Sequence, residues 1–413
     1  MRTIYRKRTL AALSILLLLT QTTNACLNDR DSDLLAEEVE TGPFPTTSAA
    51  NPIADYRESD LPVPQSVGLP VPLSVITGRF PRHPALFYEM RIRRVAKELA
   101  VHPERLRLYD DVAVAYDRLG KDDEALFWIK KKHSRLLKTS PADPAFREDW
   151  YRYYANVGTF RAHQWIRAGA DLKDTAQLRQ ARGEIAKAIH IKPDAHFGRE
   201  KYQLAVMDWI IDHRDEPLTM HLPPHWAEPG TGISGTSGSE GRGVEGLSGL
   251  IVLGGAWESP DVFAALSSEL IGIERMKLGY LAQLRCQELL DSGKKSLFAP
   301  ELKDALFLVG TPYRPQKPAE LSGKYRELRA EAETWQNNRW KYMLPRLHQG
   351  KHPDTDPKFW NEWKEPAPPN LAIKRPEMFG RFKSNNAVNV IFFLTLSAFT
   401  VIAFRKALRW MKM

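Results

Sequence analysis

Between residues 85 and 215 apolar side chains recur every three to four positions, the period of an amphipathic helix. Tyr88, Ile92, Val95 and Leu99 step i, i+4, i+7 and i+11 and draw one stripe along one helix. The segment LYDDVAVAYDRLGKDDEALFWIKKKHSRL, which begins at Leu108, keeps that period but breaks at Leu119 and Gly120. The break predicts an αα-hairpin, with Gly120 free to adopt the left-handed conformation that ends a helix. Asp122 and Asp123 then stand at the start of the second helix, where acids are favoured. A helix over 144–159 carries the aromatic run WYRYY, and another holds Tyr202 and Val206 and runs to about Ile211. Past Pro260 the pattern predicts one long helix over 262–290. Leu321, Tyr325, Leu328, Ala332 and Trp335 follow at spacings of 4, 3, 4 and 3, a short heptad-like stripe of the kind that drives self-association.

Prolines and glycines divide these segments. Nine prolines between 43 and 84 predict an extended linker over 26–84, since proline fixes φ and removes a backbone donor. A second proline-rich stretch, 353–376, reads as part of a stalk over 347–386. Ten glycines between 230 and 255 predict a flexible insertion, 216–256, with no regular helix. The fold class expected is all-α, with one helical domain over 85–215 and a second helical region over 257–346.

Within the first domain the residues resemble the tetratricopeptide repeat (TPR) family. Tyr109, Val112, Ala113 and Tyr116, followed by Gly120, Glu124, Ala125 and Ile129, fall where a TPR hairpin places its anchors. A second match runs from Trp165 through Ala168, Gly169 and Leu172 to Ala181, Ile185, Ala188 and Pro193. The resemblance implies antiparallel helix pairs stacked as a fragment of α-solenoid, and a role in binding proteins. Two departures stand out. Tyr109 and Trp165 lie 56 residues apart rather than one 34-residue period, so the helix over 144–159 would be an insertion, and Lys132 replaces a usual alanine. Family members that clamp a terminal carboxylate use Lys and Asn on their first helices. Asp110, Val114, Ile166 and Ala170 occupy those places here, which does not support such a clamp.

Charge changes the picture at the two ends. The chain of 413 residues has a net charge of +9, but residues 1–25 and 405–413 carry +4 each, and residues 26–65 carry −7. The basicity is therefore not the concentrated face that nucleic acid requires, and nucleic acid is not an expected partner. Residues 1–25 have the form of an export signal: Arg2, Arg6, Lys7 and Arg8, an apolar run over 10–19, then Thr23 and Ala25 as a small-x-small cleavage pattern. Cys26 offers a rival reading as a lipoprotein signal, from which Thr23 departs. The run AVNVIFFLTLSAFTVIAF over 387–404 would reach about 27 Å as a helix, enough to cross a hydrocarbon core. An exported chain with this second run would keep its bulk extracytoplasmic and its basic tail, 405–413, in the cytoplasm. The absence of any Asn-x-Ser/Thr sequon fits a bacterial envelope.

Candidate chemistry is sparse. GTGISG over 230–235 and GRGVEG over 241–246 match G-x-G-x-x-G but lack the strand before and helix after that dinucleotide binding needs. Pro223 and Pro224 forbid the helix that would pair His221 with His225 as metal ligands near His213. Cys286 sits in an apolar stretch and reads as a core thiol. No cofactor, metal or catalytic residue is expected. The remaining candidates are Trp150, Tyr154, Arg161, Trp165 and Arg167, either as helix-pair core and solvated charge or as the lining of a groove that takes a protein or peptide partner. The function expected is an anchored, non-catalytic binding scaffold. An envelope enzyme using the glycine-rich 230–255 segment and a self-associating tether acting through 321–335 are the alternatives.

Overall fold

Apolar stripes of helical period dominate residues 85–215 and recur over 321–335, and helices are what they form. A computed structural model describes residues 71–212, 242–369 and 371, apart from 194, 196–198, 298 and 310–312. The described residues are all-α, with eleven α-helices and two short 3-10 turns. The helices are α1 (Pro72–Thr77), α2 (Ala85–Val101), α3 (Leu106–Arg118), α4 (Asp122–Leu136), α5 (Arg147–Arg167) and α6 (Ala176–Ile191). They continue as α7 (Arg199–Asp212), α8 (Arg242–Val252), α9 (Pro260–Gly272), α10 (Met276–Asp291) and α11 (Pro318–His348). From α2 to α10 each helix packs on its neighbour in sequence, as in a row of hairpins. The export-signal stretch, the acidic segment, His213, His221, His225, the GTGISG motif, the apolar run over 387–404 and the tail all lie outside the described residues. No helix among the described residues is long and apolar enough to cross a membrane.

The first hairpin is the one the sequence predicts. α3 and α4 meet across Gly120, whose φ is +70°, and Val112, Ala113, Ala125 and Ile129 are fully buried. The second hairpin differs. Residues 147–167 form one continuous 21-residue helix, so the helix expected over 144–159 absorbs Trp165, which lies near its C-terminus. Trp165 therefore does not begin a first helix; α5 and α6 are the pair, and the expected insertion is itself the first helix of the second hairpin. Gly169 at φ +108° and Ala170 at φ +50° turn the chain between them. Gly158 lets α6 approach closely, since a Cβ there would stand 2.8 Å from the Ile185 side chain.

Four other expectations are corrected. Residues 71–84 are not linker: α1 starts on Pro72 at its first turn, ends on Gly78 at φ +84°, and buries Val75, Ile76 and Phe80. The glycine-rich insertion ends in a helix, α8, because its glycines at 243, 246 and 249 admit neighbours rather than break the chain. Tyr202 of α7 packs against Gly246 and the Glu269 side chain of α9 against Gly243. The long helix expected over 262–290 is two helices, α9 and α10, parted where Glu274 takes φ +61°. The start of the expected stalk is fixed to the core, since Phe359 is 2% exposed within the cluster of Phe87, Met343 and Leu347.

The ends of the described region meet. α11, 31 residues long, packs on α10, α1 and α2, and α1 also touches α8 and α10. Arg329 of α11 donates to the carbonyl of Thr77 at 2.7 Å and to Glu288 of α10. Trp257 lies beneath Arg285 at 3.8 Å and Arg82 at 4.8 Å, against Gly78, where a side chain would collide with its ring. The stripe Leu321, Tyr325, Leu328, Ala332 and Trp335 is buried by this packing. It is used within the chain and is not free for the self-association expected of it.

Candidate functional site

α5 carries all five candidate residues, and its position between its neighbours sorts them. Packing against α4 and α6 on two sides forces its larger aromatics inward. Trp150 is 5% exposed in the α3–α4–α5 core and donates its indole N–H to Thr139 Oγ1 at 3.1 Å. Trp165 is 4% exposed in the core shared with α6 and α7 and donates to the Asp174 carbonyl at 3.0 Å. Both are structural side chains. Tyr154 and Arg161, two turns apart, remain half-buried on the side facing α6. Arg167 lies on another side, against α3. The structure thus does not gather the five into one groove.

What it does assemble is a seam over α5 between α4 and α6. His133 of α4 stacks on Tyr153 with ring centroids 4.6 Å apart and planes 7° from parallel. Tyr154 stacks on Trp150 at 5.5 Å, and Lys187 of α6 lies 5.2 Å from the Tyr154 ring. Lys187 pairs with Glu184 at 3.0 Å, and Arg161 donates to Gln180 Oε1 at 2.7 Å. The Arg161 Nε–H is buried without an acceptor, and the Tyr154 hydroxyl makes no hydrogen bond among the described residues. Burial, with Glu184 nearby, pushes the Tyr153 phenol up to about 12, so it stays a donor. Desolvation lowers the pKa of His133, which favours its neutral ring. The seam therefore presents the half-buried Tyr154 ring, with its free hydroxyl, beside the Arg161 guanidinium. His133 and Lys187 had no signal in the sequence: they are 54 residues apart and only the packing of two hairpins joins them.

The other side of α5 is a clamp on α3. His163 Nδ1 lies 2.8 Å from Asp117 Oδ1, and Arg167 reaches the same oxygen at 3.1 Å and also pairs with Asp122. Burial alone would raise the Asp117 pKa, but His163, Arg167 and Arg118 outweigh it and hold the carboxyl at about 2. Beneath it lies a buried pair: Lys132 donates to Asp110 at 2.5 Å, and Asn156 Nδ2 donates to the other oxygen of Asp110 at 3.1 Å. Burial dominates here and lifts Asp110 to about 6 in spite of Lys132. The lysine in the place of a family alanine is therefore the partner of an acid on the opposing helix. Cys286 is fully buried, and burial raises its pKa, as expected of an inert core thiol. No group of three potential metal ligands occurs among the described residues.

Comparison with protein-family models, with curated proteins and with solved structures finds no match.

Proposed function

We propose that this chain is a membrane-anchored, extracytoplasmic scaffold of a bacterial cell envelope, in which a TPR-like helical region holds a protein or peptide partner without catalysis or cofactor. The observation that carries the reading is the seam between the two hairpins, with Tyr153 and Tyr154 flanked by Arg161, His133 and Lys187. An apolar side chain of the partner meets the exposed part of the Tyr154 ring, and a neighbouring carboxylate takes the Tyr154 hydroxyl and pairs with the half-buried Arg161 guanidinium. Stacked rings with few rotatable bonds lose little entropy on binding, which suits them to such a role. The export-type residues 1–25 and the apolar run 387–404 supply the envelope location in this reading. An enzyme built on the 230–255 segment has less support, since its portion from Arg242 to Val252 is a packed helix rather than a loop around a ligand.

A photoreactive benzoylphenylalanine placed at Tyr154 in the full chain, expressed in bacterial cells, tests the seam. Phe127, 54% exposed on α4, is the matched control position. Position 154 is expected to give a discrete adduct that position 127 does not, and Arg161→Glu is expected to remove it. Identical adducts from both positions, or none from 154, would overturn the proposal.

A further inference from the structure

The strongest unassigned feature lies where the end of α11 and the segment after it pack on α2 and α3. Tyr342 of α11 stacks on Trp360 at 5.5 Å and 9°, and meets Trp363 edge-on at 5.5 Å. Arg339 lies over Trp360 at 4.2 Å, and Arg346 over Tyr342 at 3.6 Å. Trp360, Trp363 and Tyr342 are all partly exposed, and the Trp360 indole N–H makes no hydrogen bond among the described residues. The patch is rigidly mounted. Asp354 pairs with Arg91 at 2.8 Å and Arg94 at 2.6 Å, His352 Nε2 lies 3.1 Å from the Phe87 carbonyl, and the Tyr342 hydroxyl donates to the Phe359 carbonyl at 2.7 Å.

Two further observations say what this face meets. From 339 to 365 the chain has six lysines and arginines against four acids; Asp354 is neutralised by Arg91 from outside this stretch, and Glu362 pairs with Arg346 within it. Only 15 residues, 372–386, separate the last described residue from the apolar run, a reach of about 50 Å even when fully extended. Tryptophan, tyrosine and arginine together are the side chains that settle at a membrane–water boundary, where an apolar ring and a polar tip are both satisfied. We infer that the face built from Arg339, Tyr342, Trp360 and Trp363 rests on the headgroup region of an anionic bilayer, holding the helical body against the membrane rather than at the end of a free stalk. The inference rests on the anchored reading above.

The test uses the full chain with Cys26→Ser in lipid nanodiscs; Cys286 is buried and stays unlabelled. A nitroxide is placed in separate samples at Lys364→Cys, at Leu394→Cys within the apolar run and at Val101→Cys, which is 71% exposed. Collision with oxygen and with a water-soluble nickel chelate reads depth. In an equimolar mixture of phosphatidylcholine and phosphatidylglycerol, the 364 label is expected to lie between the deep 394 label and the aqueous 101 label. In phosphatidylcholine alone it is expected to shift toward the 101 value. A 364 label as aqueous as 101 in both lipids, with 394 deep, overturns the inference and leaves the anchor standing. A 394 label in water removes the anchor and the inference with it. Dipolar coupling between 364 labels on two chains, without depth, gives this face to a second copy and also overturns it.

Discussion

The hairpin region and the closing segments of this fold are held by the same kinds of interaction over very different distances in the chain. Within α3–α6 the ties are short-range: Lys132 to Asp110, His163 to Asp117 and Asn156 to Asp110 span 22 to 46 residues. In the closure, Arg91 reaches Asp354, Arg329 reaches Thr77, Arg82 meets Gln336 and His352 meets Phe87, across 252 to 265 residues. Hairpins need only their neighbours, whereas closure needs both ends of the described region in place. A row of helix pairs exposes an apolar face at each end. Here α11 and the 352–363 segment cover the α2 side with residues drawn from the opposite end of the chain, while α1 packs on α8, α10 and α11.

The largest expected effect follows from breaking that closure. Arg91 is fully buried with Asp354, so Arg91→Leu removes two buried hydrogen bonds from that carboxylate and leaves it only the partly exposed Arg94 as a cationic partner. The loss should be about 3–5 kcal/mol in urea unfolding. Asp354→Asn carries a pH signature. Burial opposes ionisation, but Arg91 and His352 outweigh it and hold the Asp354 pKa well below the ordinary carboxylate range. Its stabilisation is therefore present above the unfolded pKa and is lost as pH falls, and the variant should lose this part of the acid-side slope.

Glu269 predicts a gain. Its carboxyl lies against Gly243 of α8 with no hydrogen bond or ion pair among the described residues, and desolvation alone raises its pKa to about 7. A raised folded pKa means stability that is full below the unfolded value of 4.5 and falls as pH rises through 7. Glu269→Gln should stabilise the chain at pH 8 by up to about 3 kcal/mol and remove that slope in thermal melts. Gly158→Ala, which pushes a methyl into Ile185 between α5 and α6, should cost about 1–3 kcal/mol by denaturant titration. Tyr154→Ala at the half-buried seam should change stability least, by about 1 kcal/mol in the same titration, yet weaken capture of the partner.

The same contrast decides what the chain made legible. A helical stripe and a turn glycine are local, so the α2 face and the α3–α4 turn at Gly120 follow from the pattern. Trp165 misled because its spacing to later alanines fits a repeat equally well from the end of a long helix as from the start of a short one. The glycines of α8 look like helix breakers until Tyr202 and Glu269, from other parts of the chain, are seen to pack against them. Pro72 and the prolines near 353 mark a helix start and a pinned turn rather than linker, because Phe80 and Phe359 bury against distant partners. Of the five candidate binding residues, Tyr154 and Arg161 share the seam. His133 and Lys187, which complete it, are brought there only by tertiary packing.

Native-state hydrogen exchange of the full chain, with and without Arg91→Leu, tests the division most directly. Amides of α1, α11 and residues 352–363 are expected to lose protection while those of α3–α6 keep most of theirs. Equal loss throughout, or no loss in the closing segments, would contradict a closure that stands apart from the hairpins it covers.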